Sequence, residues 1–346
     1  MKQNKMIIHY CGGCGANIGK AINAELAALG NGFCSIEDHY IDTSVANTDS
    51  MDKDKFYQIV STGYDANLLD GSGAERGSNA KEISRAARSY LTENSWVETE
   101  VGTFHVIVTS ASGGTGNIIA TAILADLRKR SVPVLGVFIG DSSNALSAKN
   151  TSKVVATLDA IAKRVLKKPL AIVYYNNHAA KAKGAIAKET EVNSLIFNAL
   201  SVVSLFLSGA NVDIDTQDMI NFLAPENYTS LDIKPAALNV SIFDNDDIAT
   251  EDGVINLIGR TLTTEDQDTT HDLVLLHHKH GRVIESDAVV TAREITPLHM
   301  LLVGNFMVAE HRRLLKTVAE YDEIANAMES IDLDGAGDED DNGLVL

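Results

Sequence analysis

Three stretches of this sequence combine residue types that could do chemistry: "YCGGCGANIGKAINAEL" from Tyr10, "LLDGSGAERGSNAKEIS" around Gly71, and "VTSASGGTGNIIATAIL" around Gly113. Cys11 and Cys14 in the first have Cys-x-x-Cys spacing, which suits a redox dithiol or half of a zinc site. Zinc would need two more ligands. Cys34 is the one further thiol, and the histidines of "HDLVLLHHKHG" are far away in sequence, with His277 and His280 reading as surface or satisfied strand residues. The glycines suggest different chemistry, because they let backbone approach an anion closely where the next helix presents unpaired N–H groups.

The familiar phosphate patterns fail on the first stretch. A Walker loop needs Ser or Thr after Gly19-Lys20, where Ala21 stands, and a dinucleotide fingerprint needs a glycine in the register of Ile18. Taken alone, that loop fits phosphate binding and a purely structural turn equally. The second glycine-rich turn adds Ser110, Ser112, Thr115 and Asn117 to the backbone donors of Gly113, Gly114 and Gly116, and a third places Gly71, Gly73 and Gly77 before another helix. Three such turns on one sheet edge would surround a polyphosphate.

The elements that must position these turns alternate. "KMIIHY", a helix from Ile18 to Leu29, "CSIEDHYIDTS", "FHVIVTSAS", "NIIATAILADLRKR", "VPVLGVFIG", "KVVATLDAIAKRVLKK" and "LAIVYYNN" predict an α/β fold with a doubly wound parallel sheet. Ligands in such sheets sit at the carboxyl ends of the strands. From Glu189 to Leu207 a long helix is apolar over most of its face after the first turn, which predicts burial. A further helix in "NVDIDTQDMINFL", strands in "ALNVSIF", "HDLVLLHHKH" and "TPLHMLLVG", and a last helix from about Asn305 to Met328 make a smaller α/β region.

The chain has 346 residues, 45% of them apolar, enough for a large core and two subdomains. Three cysteines and no apolar leader argue against a disulfide-built secreted protein, and the apolar runs "VPVLGVFI" and "LSVVSLFL" are too short to span a bilayer. A cytoplasmic protein without membrane attachment is expected. The net charge of −18 argues against direct nucleic-acid binding. No basic residue follows Lys316, whereas "DLDGAGDEDDNG" is acidic and is closed by Leu344, Val345 and Leu346. That end reads as a solubilising tail or as a tether for a basic groove.

These motifs resemble the tubulin and FtsZ superfamily of GTP-driven filament proteins. "GGTGN" at Gly113–Asn117 is similar to the family's glycine-rich signature, and "GGCGANIG" at Gly12–Gly19 resembles tubulin's first phosphate loop, which makes Cys14 a small turn residue. "DGSGAERG" is similar to the loop that senses the terminal phosphate, "YIDTSVANTD" to the loop after the second strand, and "GDSSNALS" to the ribose loop. The resemblance implies nucleotide contacts from Gly12, Gly13, Cys14, Asn17, Gly71, Gly73, Ser112, Gly113, Gly114, Thr115, Gly116, Asn117 and Asp141. Asn177 and Asn193 match base-reading positions, and an amide suits guanine because it both donates and accepts.

"NVDIDTQDMINFL" resembles the acidic loop that completes the active site of the next subunit in a filament. Asp215 and Asp218 would be the catalytic pair and Asp213 their rival, while capping of the following helix is the structural alternative. Ser112 replaces the signature's first glycine and Ile118 a later one, and the region from Tyr228 to Leu302 matches by element order alone. With the acidic end, these departures look more like bacteriophage tubulins of the PhuZ type.

The resemblance implies a GTP-binding domain over 1–188, a central helix over 189–209, the catalytic loop and second domain over 210–304, a carboxy-terminal helix over 305–331 and a tail over 332–346. It further implies GTP or GDP with Mg2+, head-to-tail self-assembly with the tail on a neighbouring subunit, hydrolysis at the joint, and a spindle that positions phage DNA in the host cytoplasm. A plasmid-partition filament working through a DNA-binding adaptor and a metabolic nucleotide enzyme are the alternatives.

Overall fold

The computed structural model describes residues 4–29, 33–45, 53–59, 80–94, 102–208, 215–224, 234–242, 254–262 and 296–329. Strands β1 (Lys5–Cys11), β2 (Ser35–Asp42), β3 (Phe56–Gln58), β4 (Thr103–Ser110), β5 (Val134–Gly140), β6 (Leu170–Asn176) and β7 (Pro235–Ile242) pair in parallel, and β9 (Thr296–Val303) is antiparallel to both β7 and β8 (Val254–Leu262). The order across the nine-stranded sheet is β3-β2-β1-β4-β5-β6-β7-β9-β8. β5 is buried at every position and β1 at every position but its first, as expected of parallel strands covered on both faces.

Alternation along each strand sends side chains to two cores. Ile8, Val106 and Val137 meet α1 (Gly12–Ala27), α5 (Ala185–Leu207) and α6 (Thr216–Leu223) through Ile22, Leu200 and Phe222. Ile107, Phe138 and Ile172 meet α2 (Ala80–Glu93), α3 (Thr115–Lys129), α4 (Ala145–Ala160) and α7 (Gly304–Glu329) through Ile83, Ile123, Leu158 and Leu314. The sheet is therefore doubly wound.

Element boundaries differ from the sequence reading at three helices, one of them α4, which begins at Ala145 and not at Lys153. α1 begins at Gly12, directly after β1, not at Ile18, and α5 begins at Ala185, not Glu189. β8 was not anticipated, and the "HDLVLLHHKH" segment lies outside the described residues. The strands beyond the central helix extend the same sheet, since Leu170, Ala171 and Ile172 of β6 pair with Pro235, Ala236 and Ala237 of β7. α5 is long and apolar enough to cross a membrane by length and composition, although the shorter apolar runs were not. Here its second half, Asn198 to Leu207, is buried in protein.

One polar cluster lies inside the core. His9 Nε2 is 2.9 Å from His105 Nδ1, and His9 Nδ1 is 2.9 Å from the Tyr90 hydroxyl. Burial holds the His9 imidazole well below its ordinary value, with the neighbouring His105 and His39 adding to the effect. Burial likewise lowers His105 to about 4, helped by His39 and Lys5 and opposed by Glu37. Both rings are thus neutral in the folded protein, whereas in the unfolded chain they take protons near pH 6.5. Stability from His105 is present above that pH and is lost as pH falls toward 4, by on the order of 3 kcal/mol. Urea titrations should show the midpoint falling between pH 7 and pH 5, and His105→Gln should flatten that slope.

Candidate functional site

Four connections leave the carboxyl edge of neighbouring parallel strands. They are Cys11 into α1, Ala111–Gly114 between β4 and α3, Asp141–Asn144 between β5 and α4, and the turn Asn177–Ala179 after β6. β1 and β4 are adjacent while their helices cover opposite faces, so a crevice opens between the first two loops, the usual place for a ligand in such sheets. The loops meet backbone to backbone there. A Cβ on Gly12, whose φ is +74°, would lie 2.7 Å from Gly116 Cα, and one on Gly116 would lie 2.5 Å from the Cys11 carbonyl oxygen. Glycine is required at both positions for the contact to exist.

Side chains fix the polarity of the second loop. Asn150 Nδ2 donates to the Ser112 carbonyl at 3.0 Å, and Asn117 Nδ2 donates to the Gly113 carbonyl. In a planar trans peptide the N–H points opposite the C=O. Pinning those two carbonyls inward therefore turns the N–H groups of Gly113 and Gly114 outward. Among the described residues, a Cβ built on Gly113 meets nothing within 4 Å, so there is room beside this loop. The Ser110 hydroxyl braces the turn, 2.9 Å from Ser112 Oγ and accepting from Ser112 N at 3.1 Å.

α1 and α3 begin at this crevice with no side-chain cap and no acidic residue in the first turn. Their first-turn N–H groups and positive dipole ends are therefore available to an anion. Asn117 Oδ1 is buried without a partner, an orphaned acceptor at the same place.

The next two loops carry the candidate nucleoside contacts. Asp141 accepts from Ser143 N at 3.0 Å and Ser143 Oγ at 2.8 Å, and its backbone is tied to Thr151 Oγ1 in both directions. Asn177 opens the turn after β6 and has Oδ1 buried and unpartnered. Glu191 holds the following loop by accepting from Lys181 N and Ala182 N, contacts that keep its carboxyl below the ordinary range.

Gly12, Gly13, Cys14, Ser112, Gly113, Gly114, Thr115, Gly116, Asn117, Asp141 and Asn177 thus share one edge of the sheet. Asn17 is exposed in the second turn of α1. Asn193, matched to a base-reading position near the start of the central helix, is half-buried in the third turn of α5, which starts at Ala185. Gly71, Gly73, Asp213 and the acidic end lie outside the described residues. Motif reading missed Asn150 and Thr151, polar residues buried in α4 that hold the second and third loops. A polar stretch on the inward side of a helix was their one signal.

The thiols of Cys11 and Cys14 are not poised for redox exchange. Cys11 is buried and its thiol is raised above the ordinary range by burial, and Cys14 is exposed at the site, crowded by protein and pushed up to about 11, with Ser110 opposing and Glu189 adding to the shift. A high pKa disfavours the thiolate that exchange requires. Cys14→Ala should bind nucleotide within about twofold of wild type, with and without reductant in an equilibrium titration.

The acidic pair lies at the other end of the sheet. Asp215 and Asp218 form a capping box on α6: Asp215 Oδ1 accepts from Asp218 N at 2.9 Å, and Asp218 Oδ2 accepts from Asp215 N at 3.1 Å. The capping alternative is therefore realised, and it uses one oxygen of each carboxylate. Next to Asp215, the Thr216 hydroxyl is 3.2 Å from Asn4 Oδ1 and 3.1 Å from Asn4 Nδ2, and Asn4 immediately precedes β1. Gly12 follows the carboxyl end of that seven-residue strand, so roughly 20 Å separates the acids from the glycine loops. Among the described residues, no group of three or more His, Cys, Asp or Glu side chains could hold a metal ion.

No protein-family model matches the sequence. A phage tubulin-like protein of Pseudomonas phage phiKZ is 23% identical over 243 residues, 69% of this chain and 69% of that protein. Among solved structures, a protofilament of TubZ from bacteriophage PhiKZ superposes with a TM-score of 0.66 at 18% identity, covering 98% of this chain and 95% of that one. The phage tubulin PhuZ with GDP superposes with a TM-score of 0.66 at 17% identity, covering 99% of each chain. The chain thus has the fold seen in the tubulin and FtsZ superfamily, and the relatives it resembles are phage tubulins.

Proposed function

We propose that this chain is a GTPase that assembles head to tail into filaments, with each active site completed by the next copy. The observation that carries the reading is the distance between its halves: phosphate-type loops at the carboxyl edge of the sheet, acids about one strand length away at the amino edge. A single copy cannot bring Asp215 to its own glycine loops without breaking the sheet. Stacking one copy on another would place α6 of the first over the crevice of the second.

In that arrangement the outward N–H groups of Gly113 and Gly114 and the uncapped ends of α1 and α3 bind the phosphates. Asp141 takes the ribose hydroxyls, and Asn177 and Asn193 read the base. The carboxylate oxygens of Asp215 and Asp218 not used in the capping box orient the attacking water, since phosphoryl transfer depends on positioning and electrostatics. Magnesium would arrive on the phosphates and neutralise their charge. Names of the similar solved structures support the assembly and the ligand: one is a protofilament and another contains GDP. The acidic end is assigned to a contact with a neighbouring subunit, and the cellular role to a phage spindle that positions phage DNA in host cytoplasm.

Electron microscopy of the purified protein should show filaments with GTP and their loss as GDP accumulates. GTPase activity per molecule should rise steeply with protein concentration alongside light scattering. A specific rate independent of concentration would overturn the shared-site reading.

A further inference from the structure

We propose that Glu310, on the carboxy-terminal helix α7, is a positioning residue for the base-reading turn after β6, so that discrimination for guanine depends on α7. The proposal rests on the nucleotide reading above. Glu310 is 9% exposed, and its carboxylate accepts from three side chains. Oε1 accepts from Tyr174 Oη at 2.8 Å, Asn176 Nδ2 at 3.2 Å and Arg313 Nη2 at 2.8 Å, while Oε2 accepts from Arg313 Nε at 2.6 Å. The two-pronged Arg313 contact neutralises the buried charge.

The consequence falls on Asn176. Because a carboxylate can only accept, Glu310 fixes which end of the Asn176 amide faces it. The other end, Oδ1, must then point to His178 N, which it caps at 3.0 Å, and this bond closes the turn that carries Asn177. A flipped amide would set donor against donor at both ends. Asn177 is the residue of that turn with a buried, unpartnered Oδ1. α7 reaches the neighbouring loop too: the Tyr321 hydroxyl donates to the Ser142 carbonyl at 3.2 Å, beside Asp141. Glu310 and Tyr321 are about three helical turns apart, which puts them on one face of α7. Docking the helix alone would not require the ion pair, because Met307 and Leu314 already bury it against the core.

The test is equilibrium binding of GTP and of ATP to the full-length protein and four variants. Glu310→Gln leaves donors facing a donor, and Asn176→Asp sets carboxylate against carboxylate. Each should weaken GTP about tenfold, with ATP unchanged. Combining the two restores a donor–acceptor pair between positions 310 and 176 but leaves an amide N–H against Arg313, so GTP affinity should recover in part, to better than either single variant. Tyr174→Phe removes one donor without stranding a charge, and should weaken GTP selectively by about threefold even if the charge variants fail to fold. Single variants, Tyr174→Phe included, that bind GTP like wild type, losses shared equally by ATP, or a double variant no better than its parents would each overturn the proposal. A wild-type protein indifferent between GTP and ATP would instead remove the guanine reading beneath it.

Discussion

Replacing Gly113 by glutamate is expected to abolish GTP binding, by more than about 100-fold, while leaving the unfolding transition in place. The position has room for a side chain, because among the described residues nothing lies within 4 Å of a built Cβ, and its φ is not in the left-handed region. What it cannot tolerate is a carboxylate in the space toward which the Gly113 and Gly114 N–H groups are turned. Gly116→Ala makes the contrast, since its Cβ would press on the Cys11 carbonyl oxygen at 2.5 Å and cost about 1–3 kcal/mol of stability through overpacking. Titration calorimetry and thermal unfolding on both variants separate the two effects. Tight GTP binding by the Gly113→Glu protein would remove the anion site from this edge.

The second large effect is expected from Asp215→Asn combined with Asp218→Asn. Asparagine caps helices as well as aspartate does, so the α6 start and its reciprocal bonds survive while both charges go. GTP binding should stay unchanged and turnover in assembled protein should fall by about 100-fold or more, with filaments that persist after GTP addition. Alanine at the same two positions is less informative, because it also removes a cap worth about 1 kcal/mol. Undiminished hydrolysis by the asparagine variant would leave the pair a structural device only.

Much of this was legible in the sequence because strands and glycine turns announce themselves locally. The run "VLGVFIG" reads as a buried strand wherever it falls, and "GGTGN" between a strand and an apolar helix demands close backbone approach. Helix starts were less legible for two reasons. Gly12, Gly13 and Gly15 hide the first turn of α1 behind poor helix formers, and the opening of α5, "AIAKETE", is solvent-facing and shows no apolar period. That second miss moved Asn193 deep into its helix.

Polar residues that support others were not legible at all. Asn4, Asn150 and Glu310 act across separations of 212, 38 and 134 residues, and no motif encodes a partner that distant. The buried His9 and His105 occupy strand positions where apolar side chains are expected, and their tolerance comes from partners met only in three dimensions: Tyr90 for His9, and each ring for the other.

The Asn4 anchor to Thr216 has a consequence for a row of stacked copies. If copies stack as proposed, with pocket and trigger at opposite poles of each, a row of n contains n − 1 finished reaction chambers. One terminus would then show a pocket without its trigger and the other a bare pair of carboxylates. Such a polymer would have chemically unequal tips.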